Sequence, residues 1–188
     1  AHKWLNVPYD SGLAIVADPA ALRAAVAKSA AYLVRAAGAE RDNHDFSPES
    51  SRRARGFALY AGLRSLGRGG LASLVERCCQ LAARLASQLD GQEGARVLND
   101  VVLNQVLVRF TAAEGGDPDA LTREVIRRVQ ADGTCWLAGT TWNDAAAMRV
   151  SISHWATSAD DVARSAAAIL RCAAAARTSP AVTERKRA

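Results

Sequence analysis

The sequence predicts an α+β fold in which an antiparallel sheet carries helices on one face. Two patterns indicate this fold. Leucines recur at three- and four-residue spacing between Glu49 and Leu89, and short apolar runs separated by turn residues follow Gly91. From Glu49 onward the predicted order is helix, helix, strand, strand, helix, strand, strand, helix. With 188 residues, of which 49% are hydrophobic and 23% charged, the chain can bury such a core.

The first 57 residues contain too few elements to form a core of their own. The apolar run Gly12–Val16 predicts a buried strand, and Asp18 and Pro19 supply the N-cap and first residue of a helix. Between residues 29 and 48 the helical pattern weakens, and glycine and polar residues indicate a loop. We therefore expect residues 1–57 to be the end of a different unit.

The remaining elements fall within residues 58–188, where we expect a small α+β domain with a sheet of three or four strands. The glycine cluster Gly67–Gly70 predicts a bend that divides the long helical stretch into two helices. The later elements are strands Arg96–Asn99 and Asn104–Phe110, a helix that begins at Asp117-Pro118 and ends at Gly133, strands Thr134–Trp142 and Met148–Ser153, and a last helix behind the capping box Ser158–Asp161.

The charge of the chain does not indicate a nucleic-acid partner. The net charge is +5, and 21 arginines outnumber 3 lysines. Between Arg35 and Arg77, however, five acidic residues interrupt the basic ones, so that no one-sided basic face forms. An arginine-rich binding or scaffold module stays open as the less favoured alternative.

Other compositional features favour a cytoplasmic protein that neither enters a membrane nor binds a metal. No apolar run reaches the roughly 18 residues that span a bilayer, and we expect no signal peptide. The four cysteines form no CxxC pair and no ligand spacing with histidine, so we expect buried, reduced thiols: Cys78, Cys79, Cys135 and Cys172.

The densest chemical signal is His2-Lys3-Trp4 at the start of the chain. A lysine between two ring side chains is expected to be partly desolvated, which favours the neutral amine that attacks a carbonyl carbon. Pyridoxal phosphate requires such an amine. The plain alternative is a solvated surface lysine.

The segment Ala1–Gly12 resembles the cofactor-lysine segment of the group II pyridoxal-phosphate-dependent amino-acid decarboxylases, which include the aromatic-amino-acid, glutamate and histidine decarboxylases. The family pattern is Asp-x-His-Lys-Trp, and this sequence starts one residue after the position of the Asp. Ser47–Arg55, Leu63–Leu71 and Met148–Thr157 resemble later segments of the family in the same order.

The resemblance implies an α/β protein of the pyridoxal-phosphate-dependent transferase type, fold type I. The chain would be a fragment: residues 1–57 would end the large cofactor-binding domain, and residues 58–188 would form the small C-terminal domain. It further implies pyridoxal 5'-phosphate as cofactor, an amino acid as substrate and a homodimer.

The resemblance also assigns roles to four residues. Lys3 would form the Schiff base with the cofactor, and His2 would contact the cofactor phosphate. Tyr32, 29 residues after Lys3, matches a catalytic tyrosine on a mobile loop that protonates the substrate carbon after carbon dioxide leaves. Arg149 matches an arginine that binds the substrate α-carboxylate. The alternatives are that His2 and Tyr32 pack structurally and that Arg149 pairs with a neighbouring acid.

The expected activity is decarboxylation of an L-amino acid to an amine and carbon dioxide. The family's ring-stacking histidine, pyridine-nitrogen aspartate and phosphate loop all precede the lysine, so we expect this fragment alone to be inactive. An aldehyde synthase of the same family is the alternative. Plant members of that kind carry phenylalanine in place of the loop tyrosine, so Tyr32 favours decarboxylation.

Overall fold

A computed structural model describes residues 1–28, 41–49, 51–112 and 116–178. The chain divides into two compact units, unit 1 (Ala1–Ser65) and unit 2 (Leu66–Ala188). Tyr32 lies outside the described residues. The domain boundary expected after residue 57 stays a prediction.

Unit 1 is built from short helices and the first part of a long one. The Asp18 carboxylate caps α2 by accepting hydrogen bonds from the amides of Ala20 and Ala21, as its position before Pro19 predicts. Among the described residues of unit 1, the helices are α1 (His2–Leu5), α2 (Pro19–Val26), a 3₁₀ helix (Asn43–Phe46) and the first part of α3 (Gly56–Leu89), which continues into unit 2.

The prediction of a strand at Gly12–Val16 is wrong. The structure assigns no strand to this run, and the side chains of Leu13 and Ile15 are 68% and 98% exposed. A strand requires a neighbour that accepts and donates its ladder hydrogen bonds. The described part of unit 1 contains no strand that could pair with it.

The long helix α3 is interrupted where the glycine cluster predicts. Gly67 has φ 63° and ψ −176°, which no helical residue adopts, so α3 is two helices joined at this glycine. The first of them begins at Gly56, seven residues later than predicted from Glu49.

Unit 2 contains the predicted antiparallel sheet with its helices. The strands lie in the order β1-β2-β4-β3, and every neighbouring pair is antiparallel. This confirms the α+β architecture and gives the sheet four strands. The elements are β1 (Ala95–Val97), β2 (Gln105–Phe110), α4 (Pro118–Asp132), β3 (Ala138–Trp142), β4 (Ala145–Ser151) and α5 (Ala159–Arg177).

One face of this sheet lies under α4, and the other carries Arg149. Val106 and Val108 of β2 are opposite Val150 and Met148 of β4, and the face that they share lies under α4. The alternate residues point to the other face, because successive side chains of a strand point to opposite sides. That second face carries Arg149, directly across from Leu107 of β2 and Ala138 of β3.

Candidate active site

Lys3 lies on the one-turn helix α1 and is exposed. Asn6 ends this helix in the left-handed conformation, with φ 51°, and its side-chain amide donates to the Lys3 carbonyl over 3.2 Å. Within the described residues, the Lys3 ammonium has neither an ion pair nor a hydrogen bond. The amine is therefore accessible to a carbonyl compound, but His2 and Trp4 do not desolvate it as their flanking positions suggest.

His2 presents one ring nitrogen to solvent and uses the other internally. Its Nδ1–H donates to the Val7 carbonyl over 2.9 Å, since a carbonyl oxygen can only accept. The ring also lies edge-on to Tyr9, with 5.1 Å between centroids. Only Nε2 remains for an external group, and it donates to an anion when the ring is protonated.

Contacts of Val7 and Asp10 attach the segment after Lys3 to other described residues of unit 1. Val7 is buried and packs against Gly62 of α3, where a Cβ would lie 3.4 Å from Val7 Cγ1. Farther along, the Asp10 carboxylate accepts from Arg55 Nε over 2.9 Å. These contacts fix the chain beyond the lysine while leaving the lysine itself uncovered.

Arg149 lies on the central strand β4 and is exposed. No acidic side chain of the described chain pairs with it, which removes support for its reading as a structural ion-pair partner. Arg109, on the same face of the sheet, does have such a partner, because it contacts Asp119 over 2.7 Å. Arg149 thus offers an uncommitted guanidinium that fits a carboxylate with two parallel hydrogen bonds.

The structure places the predicted site residues in different parts of the chain. His2 and Lys3 are adjacent in unit 1, and Arg149 belongs to unit 2. Tyr32 is among the residues that the structure leaves undescribed.

Sequence reasoning missed a charged cluster in unit 1. Arg23 Nη2 lies 2.6 Å from Oδ2 of Asp45, a carboxylate whose residue is only 4% exposed. His44 lies between two acids, with Nδ1 2.6 Å from Asp42 Oδ1 and Nε2 3.4 Å from Asp45 Oδ1. The pattern acid-x-His-acid within the predicted loop is the signal that could have indicated it.

The described cysteines do not indicate a second reactive site. Burial raises the pKa of the thiols of Cys78, Cys135 and Cys172, which keeps them protonated. Among the described side chains no group of histidines, cysteines and acids could hold a metal ion. No described helix is long and apolar enough to cross a membrane.

Comparison with known families decides the affiliation of the chain. A sequence model described as the pyridoxal-dependent decarboxylase conserved domain matches residues 1–111, more than half of the chain. The chain belongs to the pyridoxal-dependent decarboxylase family. Lys3 and His2 lie within the matched residues, whereas Arg149 lies beyond them. No curated protein matches the sequence significantly.

Solved structures of this decarboxylase type share the fold at low identity. TDC of Oryza sativa with PLP and tryptamine aligns with a TM-score of 0.73 and 19% identity, over 83% of this chain and 34% of that chain. Rhodiola rosea 4-hydroxyphenylacetaldehyde synthase aligns with a TM-score of 0.65 and 20% identity, over 71% and 29%. Mouse CSAD in apo form gives 0.61 and 15% identity, over 70% and 30%. The chain spans about a third of the length of these proteins.

The residues near Lys3 fit the cofactor of this family. Pyridoxal phosphate carries an aldehyde and a phosphate. Within the described residues, the Lys3 amine has no partner, and it lies beside a His2 ring nitrogen that has none either. Lys3 would attach to the aldehyde carbon, and His2 Nε2 would face the phosphate.

Proposed function

We propose that the full-length protein containing this chain is a pyridoxal-phosphate-dependent decarboxylase that converts an L-amino acid into an amine and carbon dioxide. The observation that carries this proposal is the exposed, unpaired amine of Lys3 within the residues that match the family. Because the chain spans about a third of the length of its structural relatives, we assign the activity to the larger protein. The chain by itself is inactive in this proposal.

The chain's own residues have distinct tasks in the reaction. When bound, the cofactor supplies an electron sink for the electrons of the breaking carbon–carboxylate bond. Lys3 holds the cofactor covalently, and His2 binds its phosphate. Arg149 orients the substrate by binding its α-carboxylate through two N–H donors, which suits its uncommitted guanidinium. Tyr32 donates its phenolic proton to the α-carbon once carbon dioxide has left.

The position of Tyr32 in the sequence supports amine formation over oxidative deamination. An aldehyde synthase of this family would not need a proton donor at that position, because oxygen oxidises the α-carbon of the substrate to an aldehyde carbon and that carbon is not protonated. The tyrosine therefore favours the decarboxylase over the synthase.

The proposed enzyme has the usual organisation of its family. Residues 1–57 end the large cofactor-binding domain, and residues 58–188 form the small one. The enzyme is a cytoplasmic homodimer that acts on an amino acid and binds neither nucleic acid nor membrane.

The replacement Lys3→Ala in the full-length protein tests this function. We expect the variant to lose the visible absorbance of the bound cofactor and the cofactor label that borohydride fixes on the Lys3 peptide. Turnover should fall by orders of magnitude, because covalent catalysis through the cofactor starts at this amine.

Lys28→Ala is the matched control, because Lys28 is another exposed lysine of unit 1. It should keep the absorbance, the label on Lys3 and the turnover. Near-normal turnover in Lys3→Ala would refute the assignment.

A further inference from the structure

We propose that Arg96 and Arg109 form a binding site for the phosphate or carboxylate group of a small organic anion. The site lies in unit 2, on the face of the sheet that carries Arg149. It is separate from the lysine of unit 1, and the inference does not depend on the proposed function.

The register of β1 and β2 places two cations directly opposite each other. Arg96 of β1 and Arg109 of β2 are partners in the antiparallel ladder. Such partners point to the same face of the sheet, and their Cα atoms lie about 4.5–5.5 Å apart. Like charges in this arrangement destabilise the pairing of the strands. The fold therefore maintains an unfavourable contact, which an anion bound by both guanidinium groups would relieve.

An acidic side chain neutralises only one of the two arginines. Arg109 Nη2 lies 2.7 Å from Asp119 Oδ1, a contact that leaves other N–H groups of the guanidinium available. Asp119 is itself shared, because it also contacts Arg123 over 3.6 Å and accepts from the Ala146 amide over 3.1 Å. Arg96 is exposed and, within the described residues, has no acidic partner and no side-chain hydrogen bond. The two arginines therefore retain positive charge and donors for an external anion.

A cavity of about 340 Å³ is lined by both arginines. The hydroxyl-bearing Thr111 adds to its polar lining, and Leu98, Ala112 and Pro118 supply apolar walls. The volume lies within the usual range of ligand pockets, about 300–1,000 Å³, which combine apolar walls with a few orienting polar groups. The cavity therefore suits a ligand in which a compact apolar group is attached to an anionic one.

A third guanidinium lies at the same end of the two strands. Arg177, the last residue of α5, donates from Nη2 to the carbonyl of Thr111, which lines the cavity, over 2.9 Å. It also lies directly over Gly94, the residue before β1, so that a Cβ at this position would collide with it. No acidic side chain among the described residues pairs with Arg177. The positive potential around the cavity thus comes from α5 as well as from the sheet, and this favours an anion.

The cavity is distinct from the position at which Arg149 would bind the substrate. Arg149 is directly opposite Leu107, two positions before Arg109 in β2, and does not line the cavity. A planar guanidinium binds carboxylate and phosphate groups alike through two parallel N–H donors. The experiment therefore uses a probe of each kind.

Chemical labelling of the full-length protein, loaded with its cofactor, tests the site. Phenylglyoxal labels accessible arginines, and mass spectrometry assigns the label to individual residues. The probes are phenyl phosphate and benzoate, since each joins a ring to an anionic group, and benzyl alcohol is the uncharged counterpart. Added chloride keeps the ionic strength equal in all samples, so that electrostatic screening does not differ between them.

We expect at least one of the two anions to bind with a Kd of about 1 mM, as is usual for a ligand of this size. At about 10 mM anion, labelling of Arg96 should therefore slow about tenfold, because only the free site reacts. Labelling of Arg109 should slow with it, and benzyl alcohol should change neither rate. Arg84 is the internal control, because it is exposed on α3 and does not line the cavity. Its labelling should not change.

Variants of Arg96 give a second readout, the Tm of the full-length protein. The anion should raise the Tm of the wild type and should raise that of Arg96→Lys less, because lysine keeps the charge without the planar fork. It should not change the Tm of Arg96→Gln. Without the anion, Arg96→Gln should have a Tm equal to or above that of the wild type, because a repulsion is removed. Arg84→Gln is the matched control and should respond to the anion as the wild type does.

Labelling of Arg96 that neither anion slows would overturn the inference. So would an Arg96 that is not labelled even without anion, because its side chain would then be covered. A rise in Tm with the anion that persists in Arg96→Gln would mean that the anion binds elsewhere, and a lower Tm of this variant without anion would mean that Arg96 stabilises the fold instead. None of these results bears on Lys3, whose test is the cofactor label.

Discussion

Arg109 and Arg149 lie on one face of the sheet and differ in their contacts. This difference indicates which arginine has a structural role and which is available to a substrate. Arg109 contacts Asp119, which also accepts a hydrogen bond from the Ala146 amide over 3.1 Å. Arg109 therefore helps to attach the start of α4 to the sheet. Arg149 is exposed and has no acidic partner in the described chain, so no described ion pair gives it a structural role in unit 2.

We predict that Arg149→Gln raises KM for the amino acid in the full-length enzyme about tenfold or more, because a charged bidentate contact is lost. Stability should change by less than about 0.5 kcal/mol, as for other surface positions without contacts. Steady-state kinetics and thermal unfolding measure the two effects. Arg109→Gln is the control and should show the reverse pattern, with lower stability and a nearly unchanged KM. A KM for Arg149→Gln equal to that of the wild type would contradict the role.

At the residue level, the sequence could indicate Lys3 as a candidate site residue but could not predict which residues surround it. The lysine and its histidine neighbour are local features, and a motif of adjacent residues is sufficient to find them. Solvent exposure depends on which distant segments cover a residue, and the flanking rings of His2 and Trp4 were a poor guide to it. Asp45 was missed for the same reason, since its burial and its contact with Arg23 depend on chain folding across 22 positions.

At the level of elements, local chemistry predicted the helix ends well. Asp117, Ser158 and Gly133 act at the ends of α4 and α5 as their types and positions indicate, because capping involves residues only two to four positions apart. The strands were less predictable. Gly12–Val16 is apolar enough for a strand, but strand formation depends on a distant partner that no local pattern reveals.

The β3–β4 hairpin was missed although it is local. Asn143 and Asp144 both have positive φ, 48° and 59°, and form the two-residue turn that joins the strands. The alanines that follow have low strand propensity, so the predicted strand began only at Met148. In the structure, Ala145, Ala146 and Ala147 pair with β3, because the turn sets the register.

The capping box of α5 leads to a prediction on pH dependence. Hydrogen bonds from Ser158, with a further one from Arg164, lower the pKa of Asp161 to about 2, below its usual 3.8. The folded state therefore prefers the charged form, and this contribution is fully present above about pH 4. It is lost as the pH falls through about 2.

We predict that Ser158→Ala lowers the free energy of unfolding at pH 7 by about 0.5–2 kcal/mol, the usual cost of losing an N-cap. The difference from the wild type should shrink between about pH 4 and pH 2, as Asp161 becomes protonated. Urea titrations followed by circular dichroism at several pH values measure it. Asp161→Asn serves as the control, and its free energy of unfolding should lack the part that depends on protonation of Asp161. A difference between Ser158→Ala and the wild type that does not change with pH would contradict the explanation.

At the scale of the whole molecule, the division into two units falls next to the glycine that interrupts α3. The boundary between unit 1 and unit 2 falls at Ser65 and Leu66, and Gly67 follows directly. The family match also extends across this boundary, because it covers residues 1–111. The glycine cluster predicts a helix break from the sequence alone. The sequence does not predict which of the three glycines of the cluster breaks the helix.

Gly67 and Gly69 form a matched pair that tests the break. A Cβ at either position would meet no atom within 4 Å, and both residues are exposed. They differ in backbone conformation, since Gly67 has φ 63° and ψ −176° whereas Gly69 is helical.

Gly67→Ala should destabilise the chain by about 1–3 kcal/mol, because only glycine adopts that conformation without strain. Gly69→Ala should stabilise it by about 0.5–1 kcal/mol, because alanine loses less backbone entropy in a helix. Thermal unfolding of the two variants should therefore shift in opposite directions. Equal shifts would mean that the chain tolerates a continuous helix through Gly67, and that the break does not depend on glycine.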